Sequence, residues 1–198
     1  MPFKRRTAGY VRIFGDFLLM RGHFLKAAVV LTGLLLIKPL YAHAQTAVEY
    51  LQSGNNDLSQ GNLDQAIFDY TKVIDMDPNL AKAYDNRGVA YAQEGSLSLA
   101  IADFTMAIAN KANDAEAYNN RGHAYAQQGN FLQAVADYSK AIDINPIYVK
   151  AYNNREIVYY KLKEYAKAWS DVYKVKEIGG VTDPKFVDLL KQASGREH

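Results

Sequence analysis

AYNNRGHAYA, residues 117–126, decides the fold, because the chain carries three versions of it. The others are AYDNRGVAYA at 83–92 and AYNNREIVYY at 151–160, evenly spaced on either side. A fixed period of this size, ~34 residues, marks a repeat architecture. Aligned from Ala47, Ala81, Ala115 and Val149, the columns agree well beyond this decamer. An early aromatic recurs as Tyr50, Tyr84, Tyr118 and Tyr152. A turn residue follows at Gly61, Gly95 and Gly129, with Lys163 in the last copy. Then come Ala66, Ala100, Ala134 and Ala168, and after one more helical turn Tyr70, Phe104, Tyr138 and Val172. Pro78 and Pro146 close the first and third units, where Ala112 and Gly180 stand in the others.

Within each unit the apolar residues fall at helical intervals in two stretches separated by a short break. In the third unit these are Tyr118, Ala124 and Tyr125, then Ala134, Val135, Tyr138, Ala141 and Ile142. Small residues let two antiparallel helices approach closely, and the aromatics fill the space between their turns. Proline stops the second helix. One helix pair cannot bury its apolar face alone, so the pairs must stack. Residues 183–195 read as a closing helix, with Asp183 as its cap, Pro184 in its first turn and Gly195 at its end. Its stripe of Phe186, Leu189, Leu190 and Ala193 suits the exposed face of the last pair.

These residues resemble the tetratricopeptide repeat, whose pattern is an aromatic, x-x-L-G-x-x-Y, then A-x-x-x-F and a final Pro. Tyr118, Gly122, Tyr125, Ala134, Tyr138 and Pro146 match it, with Arg121 in place of the Leu. The resemblance spans four units, 47–80, 81–114, 115–148 and 149–182, followed by a capping helix and tail at 183–198. It implies an all-α, right-handed α-solenoid whose concave groove is lined by the first helix of each unit. It also implies a protein or peptide as partner, held without catalysis.

Two charged columns point to structure. Arg87, Arg121 and Arg155 recur, with Ser53 in the first unit, and Asp69, Asp103, Asp137 and Asp171 recur in all four. Each Arg has two candidate partners, the Asp of its own unit or that of the preceding one. For Arg121 these are Asp137 and Asp103. Either pairing would fix the register of stacked helices more than it would add stability.

The Asn columns point to the groove. Asn is a poor helix former, so its recurrence in mid-helix asks for a reason. An amide donates and accepts, which suits an extended peptide backbone. The expected groove residues are Asp85, Asn86, Asn119, Asn120, His123, Gln127, Asn153, Asn154 and Tyr160. Lys82, Val89, Gln93, Glu116, Lys150, Ile157 and Lys161 are their expected neighbours. Chaperone-binding members of the family hold a C-terminal carboxylate with two Lys, two Asn and an Arg. The matching places from the second unit are Asp85, Val89, Asn120, Lys150 and Asn154, so only two of five agree and that clamp is not expected. Glu156, where Gly88 and Gly122 stand in the other copies, predicts a looser or wetter fourth pair.

Charge and composition narrow the function classes. The net charge of +2 conceals seven basic residues and one acidic residue in 1–44. Residues 45–198 hold 16 basic and 20 acidic groups, which does not suit a nucleic-acid binder. The absence of Cys excludes disulfides and thiolate chemistry. Beyond Gln45 the only histidines are His123 and His198, and there is no G-x-S-x-G or phosphate loop. We therefore expect no catalytic residues, cofactor or metal. Residues 1–44 read as a secretory signal, with the apolar run 27–37, AAVVLTGLLLI, and Ala42-His43-Ala44 before a cleavage at Gln45. Met20 is an alternative start. The expected location is periplasmic or secreted, in a bacterial cell envelope. The alternative is an uncleaved segment that anchors a structural subunit of an envelope assembly in the inner membrane, and only then does the chain contact a membrane.

Overall fold

The computed structural model describes residues 46–195, which form nine helices and no strands. The expected signal segment and its cleavage site lie outside the described residues. Helix α1 covers 46–60. It is followed by α2 (Leu63–Met76), α3 (Ala81–Glu94), α4 (Leu97–Asn110), α5 (Ala115–Gln127), α6 (Phe131–Ile144), α7 (Val149–Lys161), α8 (Tyr165–Glu177) and α9 (Pro184–Ser194). Each repeat unit is thus one helix pair, and the pairs stack into an α-solenoid.

The turns inside the pairs need left-handed backbone. Gly61, Gly95 and Gly129 take φ of 79°, 92° and 82°, and Lys163 takes 60° at the same place. Between units, Asp114 caps α5 by accepting from the backbone N–H of Glu116 and Ala117. Asp183 caps α9 through Lys185 N–H, with Pro184 in the first turn.

The core follows the repeat columns. Ala66, Ala100, Ala134 and Ala168 are fully buried, and so, to within a percent, are Tyr70, Phe104 and Tyr138. Each of these rings packs on a glycine of the first helix. A Cβ at Gly54, Gly88 or Gly122 would lie 2.8, 2.8 or 3.0 Å from the ring of Tyr70, Phe104 or Tyr138. The fourth unit solves the same space differently. Val172 replaces the ring, and Glu156 replaces the glycine with a side chain that is 1% exposed. Where a looser or wetter fourth pair was expected, the Glu156 side chain lies buried inside the protein. That leaves Glu156 Oε2 without a hydrogen-bond partner. Burial, and then the charge of Asp171, push its carboxyl up to about 8, against a smaller opposing contact from Thr182.

The arginines pair within their own units. Arg87 donates from Nε and Nη2 to Asp103 at 2.7 and 2.9 Å. Arg121 does the same to Asp137, and Arg155 to Asp171. The preceding unit contributes a hydroxyl, not a carboxylate. Nη1 of Arg87, Arg121 and Arg155 reaches Thr71, Thr105 and Ser139. Each guanidinium also lies over two tyrosine rings, for example Tyr118 and Tyr125 around Arg121. In the second, third and fourth units one arginine therefore ties a helix pair internally and to its predecessor.

Helix α9 keeps the register. Phe186 follows Tyr152 by one repeat period, so α9 stands in sequence as the first helix of a fifth unit. Leu190 is fully buried with Ala168 and Trp169, and Trp169 Nε1 donates to Ser194 Oγ at 3.0 Å.

Candidate functional site

The first helices α3, α5 and α7 lie side by side, and their residues line two adjoining clefts. The larger, about 410 Å³, lies between Val89 and Gln93 of α3, Asn120, His123 and Gln127 of α5, and Lys150 of α7. The smaller, about 160 Å³, is bordered by His123, Gln127, Asn154, Ile157 and Lys161. His123 and Gln127 belong to both, so the two clefts form one trough across three units. Its floor is aromatic. Gly88 and Gly122 have no side chain, so the rings of Phe104 and Tyr138 back the two clefts from the second helices.

The expected groove residues divide into three groups. His123 and Gln127 are exposed in the trough, and Asn120 and Asn154 border it. Asp85, Asn86 and Asn119 require correction as groove residues, since they are 5%, 8% and 0% exposed. They form a seam between neighbouring first helices. Asn154 donates to Asn119 Oδ1 at 2.9 Å, Asn120 to Asp85 Oδ1 at 3.0 Å, and Asn86 to Asn55 Oδ1 at 2.7 Å. The amides recur because each satisfies a polar neighbour one unit away, in a place where an unpaired group would be costly.

Asn153 and Tyr160 also require correction. Asn153 donates to Val181 O and accepts from Thr182 Oγ1, which straps the linker before α9 onto α7. Tyr160 packs on Tyr165 and on Phe186 of α9, with ring centroids 5.9 and 5.7 Å away. The closing helix covers that end of the expected groove. Residues that sequence reasoning missed are Ala92, Ala126, Val158, Phe104 and Tyr138, all in the trough's lining. The Gly88 and Gly122 columns carried the signal for the two rings.

Charge is uneven along the trough. Lys82 is committed to Asp85 at 3.1 Å and Glu116 at 3.6 Å. Lys161 lies over the Phe131 ring, and Lys150 has no ion-pair partner among the described residues. Desolvation, with Lys150 beside it, pulls the His123 imidazole below its usual range, which favours the neutral ring at neutral pH. The described residues contain no group of three or more His, Cys, Asp or Glu that could hold a metal ion.

Comparison with known proteins agrees with this architecture. The family profile described as "Tetratricopeptide repeat" matches residues 115–148, and one described as "TPR repeat" matches 54–95 and 90–129. The first TPR of Spaghetti (RPAP3), solved with an HSP90 peptide, SRMEEVD, is 30% identical. That match covers 60% of this chain and 94% of the other, with a TM-score of 0.58. The chain belongs to the tetratricopeptide-repeat family. A crystal structure of MamA protein is 26% identical to this tetratricopeptide-repeat chain over 77% of it and 85% of MamA, with a TM-score of 0.67. The second TPR domain of human RPAP3, in complex with an HSP70 peptide, SGPTIEEVD, is 25% identical. It covers 59% of this chain and 97% of its own, with a TM-score of 0.57.

Proposed function

We propose that this tetratricopeptide-repeat chain is a non-catalytic scaffold that holds an extended segment of another protein along the trough of α3, α5 and α7. The observation that carries the reading is the continuity of the two clefts through His123 and Gln127, on three successive first helices. An extended chain needs such a run of donors and acceptors, and Gln93, Asn120, His123, Gln127 and Lys150 supply it beside an apolar floor. The peptide complexes of the RPAP3 domains support the same use of the fold. We place the scaffold in a bacterial cell envelope. That placement rests on the signal-like segment 1–44.

The test is capture of partners by the full chain, compared with a His123→Glu/Gln127→Glu variant. Both positions are exposed, so the helices should keep their circular dichroism. We expect the variant to lose the captured set, and a Leu132→Lys control outside both clefts to keep it. An unchanged set in the double variant refutes the trough as the binding surface. N-terminal sequencing of exported protein tests the location, with Gln45 as the expected first residue.

A further inference from the structure

The trough is basic although the chain around it is acidic. Residues 45–148 hold 6 basic and 13 acidic groups, yet no carboxylate lines either cleft. The acids of the three first helices are all engaged or placed elsewhere. Asp85 and Glu116 are held by Lys82 at 3.1 and 3.6 Å, and Glu156 is buried. Glu94 borders a separate hollow beside Asn62 and Leu63. Among the basic groups of these helices, Arg87, Arg121 and Arg155 are fixed in the rungs. Lys150 and Lys161 remain, both exposed and neither in an ion pair among the described residues.

Each cleft holds one of these two lysines beside an apolar wall. Lys150 stands in the larger cleft with Val89 and Phe104, and Lys161 in the smaller with Ile157 and Val158. Lys161 also lies over the Phe131 ring at 5.4 Å, a contact that leaves its ammonium exposed. Val89, His123 and Ile157 share one column of three successive units, so the imidazole stands between two aliphatic side chains. It adds no second charge at neutral pH, because burial and the nearby Lys150 hold it below its usual range. Along its length the trough therefore offers two apolar hollows with one fixed cation each. Asn120, Gln127 and Asn154 stand among them with amides for a peptide backbone.

We propose that the trough takes an acidic segment internal to its partner's chain, whose two apolar side chains enter the clefts with an Asp or Glu beside each, facing Lys150 and Lys161. This rests on the trough being the binding surface, and it names what that surface selects. A free chain terminus is not required, since the places that would hold a terminal carboxylate match at only two of five. An exposed ion pair adds little strength, so the two lysines act on choice of partner and rate of encounter more than on affinity.

The test is selection by the full chain from a displayed library of random dodecamers. Each is flanked on both sides by fixed polar sequence, so that none ends in a free carboxylate. We expect Asp and Glu next to apolar residues to be enriched about two- to fivefold over the input library. Lys150→Glu/Lys161→Glu should keep its circular dichroism, since both side chains are exposed, and should turn the preference from acidic to basic dodecamers. Binding of a selected acidic dodecamer to the wild type should weaken as salt is raised. Selected sequences without acidic enrichment, or the same preference in the lysine variant, overturn the proposal. His123→Glu/Gln127→Glu separates it from the claim on which it rests. If that variant loses the selected dodecamers, the trough binds them, and their composition alone decides the proposal. If it retains them, the trough is not the binding surface and the proposal falls with it. A chain that enriches no dodecamer overturns both.

Discussion

Glu156 shows how one residue can be compatible with a fold and still weaken it. Its carboxyl ordinarily titrates near 4.5 and is pushed up to about 8 in the folded chain by burial and by Asp171. Folding therefore takes up a proton between those values, and the folded state binds more protons than the unfolded one. The stability contributed by the protonated form is fully present below about 4.5 and is lost as pH rises through about 8. Glu156→Gln keeps the shape and removes the charge. We expect the variant and the wild type to have similar urea midpoints at acid pH. Above about pH 8 the variant should be the more stable by a few kcal/mol, since a tenfold change in proton affinity corresponds to about 1.4 kcal/mol. Equal pH dependence in both proteins would show that the carboxylate is not the source.

Helix pairs are held by two devices that respond differently to mutation, the glycine–ring contact and the arginine rung. Gly122→Ala puts a Cβ 3.0 Å from the Tyr138 ring and 3.2 Å from Ala134 O, closer than the two helices admit without a shift. A loss of about 1–3 kcal/mol is expected, read from chemical denaturation. The same change at Gly129 meets no atom, but its φ of 82° makes any substitution strained, so the cost there has a backbone origin. The rung behaves as a unit. Arg121→Ala leaves Asp137 buried and uncompensated and should cost about 3–5 kcal/mol. Arg121→Met/Asp137→Leu removes both charges together and should cost less than either single change. A double variant as damaging as the sum of the singles would mean that the two side chains do not act as a pair.

At the scale of the whole molecule, most of the fold was legible because repetition makes each unit a check on the others. The repeat period located the helix pairs, their glycine turns and the closing helix, whose observed span Pro184–Ser194 falls inside the expected 183–195. The candidate site was legible only in part, and the reason is lateral. Which helix carries a residue follows from the period. Whether Asn119 faces a ligand or Asn154 depends on how far successive first helices are staggered, and no column records that. The covering of Tyr160 likewise depends on where the chain turns after Gly180, where a Cβ would sit 2.6 Å from Val149.

That turn makes α9 the piece on which the C-terminal end depends. Phe186 and Val187 pack against the cluster of Ala168, Trp169 and Leu190, and Asn153 straps the linker from the other side. In a solenoid each pair is stabilised by its neighbours, so an end without its cap should open first. Trp169 is the single tryptophan of the chain and is 3% exposed, which makes its emission a local reporter. Ending the chain after Thr182 removes Phe186, Leu190 and the Ser194 hydroxyl that accepts from the indole. We expect a red-shifted Trp169 emission in the native truncated chain and a tryptophan transition at lower urea than the circular-dichroism transition. In the whole chain the two transitions should lie closer together, because α9 couples the fourth pair to the rest. Coincident transitions and unshifted emission after truncation would mean that α9 rides on the solenoid without supporting it.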